Sequence, residues 1–146
     1  MKDRLTLLTP ANHKSLIKTF SGINFTEQSF AIGKDFHVSE EPASDLQSLS
    51  KVLQRLENDP TQMIIRGSLT EGKTNPVPRN KGTFTATPRQ WCMIDIDSLA
   101  WDGDINDQQA TLSYAIKQLP ADFQSVDCWY HFSSSMGIKA GIRVYL

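Results

Sequence analysis

Apolar residues recur at helical spacing in two parts of the chain. The first pattern predicts a helix from Asp45 to about Asn58. Ser44 and Gln47 supply a capping box at its start, and Pro60 stops it. The apolar stripe of this helix consists of Leu46, Leu49, Val52, Leu53 and Leu56. Such a stripe turns one face of the helix toward a core.

The second pattern predicts a helix from Asp107 to Leu119. Asn106 precedes it as the N-cap, and Pro120 stops it because proline cannot continue a helix. Its inner stripe consists of Leu112, Ala115, Ile116 and Leu119. Both helices are therefore amphipathic, and we expect each to cover one face of a sheet.

Alternation of side chains along an extended backbone marks the strands. In the strand from Trp91 to Asp97, one face carries Cys92, Ile94 and Ile96, and the other carries Met93, Asp95 and Asp97. The remaining predicted strands are Arg4–Leu8, Ser29–Val38, Met63–Arg66, Val126–Phe132 and Ile142–Leu146. Strands interspersed with two helices indicate an α+β fold, an α/β sandwich in which helices pack on a mixed sheet.

The composition indicates one domain over residues 1–146, with 39% hydrophobic and 21% charged residues. No apolar run of about 18 residues occurs, and no apolar signal-peptide core follows the first residue. We therefore expect a cytoplasmic protein without a membrane partner. Apart from His131, no Cys or His stands at metal-ligand spacing from Cys92 or Cys128, so we expect both to be buried free thiols and His131 to be structural.

Charge is distributed unevenly, although the net charge is only -1. Residues 66–90 carry one acidic side chain, Glu71, and five basic ones, Arg66, Lys73, Arg79, Lys81 and Arg89. Residues 91–127 carry seven aspartates against one lysine. A basic loop that leads into an acidic strand suits polyanion binding beside a metal, whereas solvated surface charge is the plain alternative.

Asp95 and Asp97 are the strongest candidates for a metal site. Because Asp95 and Asp97 are two positions apart on a strand, their Cα atoms lie about 6.5 Å apart and both carboxylates point the same way. Two such carboxylates can hold Mg²⁺, which keeps its other coordination positions for water and phosphate oxygens. The alternatives are surface aspartates or a helix-capping turn.

Phosphate contacts are predicted at two further places. The hydroxyl-rich turn Ser133–Gly137 offers backbone N–H groups and serine hydroxyls, and Lys139 or Arg143 could neutralise a bound phosphate. Arg66 leaves a buried strand at Gly67, and Arg79 follows in the loop. Arginine there could bind a phosphate or a carboxylate through two hydrogen bonds. An ordinary hairpin and an arginine that packs at a strand end remain the alternatives.

In combination the motifs are more specific than any one of them. Their order along the chain is Met63-Ile64-Ile65-Arg66-Gly67, then Met93-Ile94-Asp95-Ile96-Asp97, then Phe132-Ser133-Ser134-Ser135-Met136-Gly137 and Gly141-Ile142-Arg143. Over about residues 60–146 this order resembles the archaeo-eukaryotic primase superfamily, in particular the primase-polymerase domains of plasmid, phage and integrative-element replication proteins. Asp95 and Asp97 match that family's first motif, hydrophobic-Asp-x-Asp, and the serine turn matches the start of its second.

The resemblance implies template-directed nucleotidyl transfer, with Mg²⁺ or Mn²⁺ bound by Asp95 and Asp97 as catalytic residues. The residues that it implies for triphosphate binding are Ser133, Ser134, Ser135, Lys139 and Arg143. Arg66 and Arg79 would contact nucleotide or template. The implied partners are nucleoside triphosphates, a single-stranded DNA template and a helicase domain or subunit, and the implied fold is the RRM-like primase core.

The sequence departs from the family pattern in two ways. The second motif includes a histidine, yet Tyr145 stands where it is expected, and the third motif, a later aspartate, has no candidate before Leu146. We therefore expect either the N-terminal portion of a catalytic domain or a degenerate relative, and the strand cut at Leu146 favours the portion. Two other functions stay open, a non-catalytic nucleic-acid-binding module and a metal-dependent glycosyltransferase.

Overall fold

The structure is a computed structural model that describes residues 3–15, 18–21, 26–29 and 33–146. Its contacts divide the chain into two compact units, residues 1–90 and residues 91–146. Helices and antiparallel sheets together confirm the predicted α+β class. Within the described ranges, neither α-helix has both the length and the apolarity needed to cross a lipid bilayer.

The first unit is built mainly of strands and contains one α-helix. Its elements are β1 (Arg4–Pro10), β2 (Lys18–Ser21), β3 (Thr26–Ser29), β4 (Asp35–Pro42), α1 (Leu46–Glu57), β5 (Met63–Ile65), β6 (Ser68–Leu69), β7 (Val77–Pro78) and β8 (Phe84–Thr85). Four strands form one sheet in the order β5-β1-β4-β7, and the pairs β2-β3 and β6-β8 form two small sheets. The extended segment predicted over Ser29–Val38 includes residues 30–32, which lie outside the described ranges.

Strand β1 forms the centre of the first unit. Leu5, Leu7 and Leu8 are at most 1% exposed, and Thr6 between them is fully buried. Because alternate residues of a strand face opposite sides, burial of all four means that both faces of β1 are covered. Complete burial of a leucine side chain contributes about 2 kcal/mol to folding, so this strand is a principal source of stability.

The helix α1 begins one residue later than its sequence suggested. Asp45, rather than Ser44, is the N-cap, and its carboxylate accepts a hydrogen bond from the Ser48 N–H at 2.7 Å. The Ser48 hydroxyl oxygen accepts the Asp45 N–H in return, which completes a capping box that does not involve Gln47. Hydrogen bonds from the Ser48 backbone and side chain, together with the charge of Lys51, lower the pKa of the Asp45 carboxyl below its usual value of 3.8.

The segment from residue 66 to residue 90 is more regular than its polar sequence indicates. Strands β6 and β8 pair to close it into a loop, and the Thr70 N–H donates to the Thr83 carbonyl at 2.9 Å. The Asn75 amide group makes two 2.9 Å hydrogen bonds to the backbone of Val38 in β4. The loop is therefore anchored to the main sheet both by the pairing of β7 with β4 and by this amide side chain.

The second unit contains one three-stranded sheet and one α-helix. Its elements are β9 (Asp95–Leu99), α2 (Gln108–Lys117), a short 3₁₀ helix (Ala121–Phe123), β10 (His131–Phe132) and β11 (Ile142–Tyr145). The strand order is β10-β11-β9, and both pairings are antiparallel. Asp107, rather than the predicted Asn106, caps α2 by accepting the Ala110 N–H at 3.0 Å.

The core of the second unit is small. Ala115 of α2 and Ile142 and Val144 of β11 are completely buried, and partly buried side chains pack around them. Those side chains are Ile96, Leu99, Trp101, Tyr114, Phe132, Met136 and Leu146. Helix α2 therefore covers one face of the sheet.

The strand predicted from Trp91 to Asp97 is shifted in the structure. Regular strand geometry begins at Asp95 and continues to Leu99. Ile94 still exchanges two backbone hydrogen bonds with Leu146, at 2.8 and 2.9 Å. The alternation that placed Ile94 and Ile96 opposite the two aspartates is preserved over the paired residues.

The prediction that both cysteines are buried is wrong. Cys92 and Cys128 are free thiols, as expected, but both are exposed. They lie in segments that flank the strands rather than within the paired regions, so alternation does not turn them toward the core. Partial desolvation and the neighbouring Asp127 carboxylate raise the pKa of the Cys128 thiol above its usual value of 9.0.

Candidate functional site

The candidate site lies on the face of the three-stranded sheet opposite α2. Ile142 and Val144 point toward Ala115, so alternation turns Arg143 and Tyr145 of the same strand to the other side. Asp95 and Asp97 are exposed, whereas Ile96 between them packs against the core. We call this surface the outer face.

Residues from the three strands line up in two rows across the outer face. In the first row, Asp95 of β9 is opposite Tyr145 of β11, which is opposite His131 of β10. In the second row, Asp97 contacts Arg143, whose carbonyl accepts the Ser133 N–H at 2.9 Å. Adjacent strands are about 4.8 Å apart, so each row spans about 10 Å.

A β-bulge joins Asp97 to Arg143. Between the register pairs Ile142↔Leu99 and Val144↔Ile96, the two residues Asp97 and Ser98 are opposite Arg143 alone. The Arg143 guanidinium forms an ion pair with the Asp97 carboxylate and also donates to the Ser98 hydroxyl at 2.5 Å. The extra residue in β9 therefore gives one arginine two oxygen partners.

Two unusual backbone conformations accompany the bulge. Ser98 has a φ of 63°, which is uncommon for a residue with a side chain. Gly141 has a φ of 78°, and a Cβ atom at this position would lie 2.7 Å from the Leu99 carbonyl oxygen. A glycine is therefore required at position 141, both by its conformation and by the close approach of β9.

Burial within the ion pair is unequal. The Arg143 side chain is 17% exposed and its Nε atom is buried without a hydrogen-bond partner, whereas the Asp97 side chain is 62% exposed. The Arg143 guanidinium is therefore packed against the sheet, whereas the carboxylate of its partner Asp97 faces solvent. An anion that approaches from solvent could contact the same guanidinium group.

The donor set of Asp95 and Asp97 suits one kind of metal. Two exposed carboxylates on one face match Mg²⁺, which takes one or two protein carboxylates and fills its other positions with water and phosphate oxygens. Among the described residues, no group of three His, Cys, Asp or Glu side chains could enclose a metal ion. The residues present therefore fit a cation that shares its coordination with a substrate, not a closed structural site.

The serine turn is held mainly by its own hydrogen bonds. The Ser133 and Ser135 hydroxyls lie 3.1 Å apart, and the Ser133 carbonyl accepts the Met136 N–H at 2.8 Å. The Ser135 carbonyl accepts the Lys139 N–H at 3.0 Å, and Ser135 is 7% exposed. Ser134, in contrast, is exposed. The turn follows β10 directly and is placed beside Arg143 by the Ser133 N–H.

The other predicted phosphate contacts belong to the first unit. Arg66 is exposed directly after β5, and Arg79 is exposed with its guanidinium 3.8 Å from the Met63 sulfur. Arg89 differs from these two because its side chain is 8% exposed and forms an ion pair with the buried Asp3. One of the five basic residues of the loop is therefore structural.

The outer face also carries aromatic rings that the sequence prediction did not use. Trp129 and His131 stack with their ring centroids 5.8 Å apart and their planes 10° from parallel. His131 was expected to be structural, but its register places it in the first row beside Tyr145. The sequence feature that could have identified these rings is the two-residue spacing of Trp129 and His131. In an extended segment that spacing turns both side chains away from the core, toward which Phe132 points.

The chain is similar in sequence to a known phage protein. It is the "Putative replication origin binding protein" of Escherichia phage T5, which is 34% identical over 122 residues, covering 76% of this chain. The matched region is 13% of the phage protein, so the chain spans about an eighth of its relative. No protein-family profile and no solved structure matches the chain.

Proposed function

We propose that this chain is part of a DNA replication protein and that its outer face is a nucleotidyl-transfer site of the primase-polymerase type. The observation that carries the proposal is the placement of two exposed carboxylates, an arginine and a serine turn on one sheet face. The similarity to a phage protein named for replication-origin binding supports the replication role and a DNA partner. Nucleoside triphosphates and a single-stranded template would be its substrates, and a helicase its partner in replication.

The residues of the proposed site divide into metal ligands, triphosphate contacts and nucleic-acid contacts. Asp95 and Asp97 would hold Mg²⁺ or Mn²⁺, which supplies charge neutralisation at the transferred phosphate and lowers the pKa of the attacking hydroxyl. The triphosphate contacts would come from Ser133, Ser134, Ser135, Lys139 and Arg143. The exposed Arg66 and Arg79 of the first unit would contact the nucleic-acid backbone, because arginine binds phosphate through two parallel hydrogen bonds.

The ion pair between Arg143 and Asp97 connects phosphate binding to the carboxylates. Without substrate, Arg143 neutralises Asp97 and prevents repulsion between Asp97 and the nearby Asp95. A bound triphosphate competes with Asp97 for the same guanidinium. When Arg143 turns to the phosphate, the Asp97 carboxylate becomes fully available as a ligand.

Primer extension by the full-length replication protein that contains this chain tests this proposal. We expect Asp95→Ala and Asp97→Ala each to reduce the rate at least about 100-fold, because each removes a transition-state ligand. Asp122→Ala is the matched control, since Asp122 is an exposed aspartate of the same unit in the short 3₁₀ helix. Undiminished activity in either of the first two variants would contradict the assignment.

A non-catalytic nucleic-acid-binding module is the second candidate. It is favoured by the lack of a third carboxylate near Asp95 and Asp97 within the described residues and by the neutralisation of Asp97. Titration calorimetry with Mn²⁺ separates the two functions. Nucleotidyl transfer requires Mn²⁺ binding that Asp95→Ala abolishes, whereas the module predicts no carboxylate-dependent binding and DNA affinity that Asp95→Ala leaves unchanged.

A further inference from the structure

We propose that Trp129, His131 and Tyr145 form a binding subsite for the nucleobase of a nucleoside triphosphate. We call these three residues the aromatic shelf. The inference rests on the proposed function, since it names the part of the outer face that would hold the base while Arg143 and the serine turn hold the phosphates. The two ideas are separable because base stacking requires neither a metal nor chemistry.

The shelf combines a pair of stacked rings with a cross-strand neighbour. The planes of the Trp129 and His131 rings lie 10° apart, and the backbone register sets His131 directly beside Tyr145. All three residues are partly buried, so each keeps some exposed surface that a ligand can contact. Adjacent strands lie about 4.8 Å apart, which sets the spacing of His131 and Tyr145.

The packing of the core does not account for these rings. Phe132 follows His131 in the sequence and packs against the core on the opposite side of the sheet. The exposed Tyr130 ring meets Phe132 edge to face. The core takes its aromatic rings from Phe132, Trp101 and Tyr114, whereas the shelf rings lie on the face that carries the charged side chains.

The neighbours of the shelf identify which ligand fits. Arg143 lies two residues from Tyr145 along β11, a separation of about 7 Å. A ligand with a flat ring and an anionic tail could therefore contact the shelf and the guanidinium together. Aromatic side chains bind nucleobases by stacking on either ring face, with little dependence on base identity.

Charge favours a single nucleotide over a long single strand at this place. Asp95 ends the row that contains the shelf, and Asp97 lies in the next row. In residues 91–146 the seven aspartates outnumber three basic residues, Lys117, Lys139 and Arg143. A polyanion that crossed this face would meet several carboxylates, whereas one triphosphate needs only the positions beside Arg143.

Equilibrium binding of dATP to the full chain in EDTA tests the shelf without metal or catalysis. We expect Trp129→Leu and Tyr145→Leu each to weaken dATP binding about tenfold, in line with the loss of one base-stacking contact. Trp129→Phe and Tyr145→Phe keep an aromatic ring and should restore most of the affinity. Tyr130→Leu, whose exposed ring contacts Phe132, is the matched control and should bind dATP as the unaltered protein does.

Inorganic triphosphate is the second probe, because it has the anionic tail but no base. Trp129→Leu should leave its binding unchanged, whereas Arg143→Ala should weaken it. Equal weakening of dATP and triphosphate by Trp129→Leu would mean a general structural defect and would overturn the shelf. Unchanged dATP binding in both leucine variants, or a larger loss of oligo(dT) binding than of dATP binding in Trp129→Leu, would also overturn it.

Primer extension and dATP binding in EDTA together distinguish failure of the shelf from failure of the proposed function. In EDTA we expect Asp122→Ala, an exposed position in the short 3₁₀ helix, to bind dATP as tightly as the unaltered protein. If dATP binding depends on the shelf but the full-length replication protein extends no primer, the shelf stands and nucleotidyl transfer fails. If primers are extended but the leucine variants bind dATP normally, the shelf alone is wrong.

Discussion

Each unit of the chain contains an arginine–aspartate pair, and the two pairs differ in their surroundings. Arg89 and Asp3 in the first unit are 8% and 7% exposed, with a nitrogen–oxygen distance of 3.6 Å. In the second unit, Arg143 is mostly buried but Asp97 is 62% exposed. The same two residue types thus form one closed pair and one open pair.

The hydrogen bonds around each pair show what the difference means. The Asp3 carboxylate also accepts the Arg4 and Gln90 N–H groups, and Arg89 donates to the Thr6 and Ser68 hydroxyls. These contacts bring together residues that are 87 positions apart in sequence. A closed pair of this kind fixes the fold, because a buried charge that loses its partner is costly.

In the open pair, the protein contacts of Asp97 lie on the side of Arg143, and its other side faces solvent. Arg143 reaches Asp97 and Ser98 along the bulge, and solvent covers the rest of the carboxylate. Exposed ion pairs contribute little to stability, because water competes for both charges. Such a pair can exchange partners at low cost, which is what the proposed phosphate contact of Arg143 requires.

The largest expected effect is on the closed pair. Asp3→Asn leaves the buried Arg89 charge without compensation and should lower the free energy of unfolding by about 4 kcal/mol. The matched variant Asp97→Asn should lower it by no more than about 1 kcal/mol, since Asp97 is largely solvated. Urea unfolding followed by far-ultraviolet circular dichroism measures both, and similar losses would remove the distinction between the pairs.

The bulge beneath the open pair gives the next effect. Gly141→Ala combines a positive φ with a Cβ atom 2.7 Å from the Leu99 carbonyl oxygen. We expect a loss of about 2 kcal/mol in unfolding free energy. Gly137→Ala is the control, because Gly137 has nearly the same φ of 77° but no atom within 4 Å of the added Cβ. It should cost only about 1 kcal/mol, and an equal cost at the two sites would contradict the close approach.

The smallest effect concerns the cap of α1 and its dependence on pH. Ser48 lowers the pKa of Asp45 in the folded protein, so ionised Asp45 stabilises the fold above about pH 4. That contribution is lost as the pH falls through the lowered folded pKa. Asp45→Ala should therefore destabilise the protein at neutral pH, and the difference from the unaltered protein should shrink in acid.

Asp45→Asn sharpens the test of the cap. Asparagine also caps helices but does not titrate, so this variant should keep most of the stability at neutral pH. Its stability relative to the unaltered protein should rise as the pH falls below 4. A difference that does not change with pH would show that the Asp45 charge makes no contribution.

Local patterns predicted several features well and failed at others. The alternation in β9 correctly predicted that Asp95 and Asp97 share a face, and both helices lie within their predicted ranges. The N-cap positions were each off by one residue, because several adjacent polar residues can cap and only the backbone geometry selects one. The thiols were misplaced because Cys92 precedes the regular strand, where alternation no longer decides burial.

The sequence by itself determined the α+β class, the amphipathic helices and the pair of carboxylates on one strand face. These depend on residues close together in the chain, whose spacing is fixed by helix and strand geometry. Only the tertiary structure decided which arginine–aspartate pair is buried and which is open to solvent. The Arg143 contact with Asp97 depends on the register between β9 and β11, and the Arg89 contact with Asp3 depends on both ends of the first unit meeting. No local pattern encodes pairings across such distances, because they are selected by the packing of the whole unit.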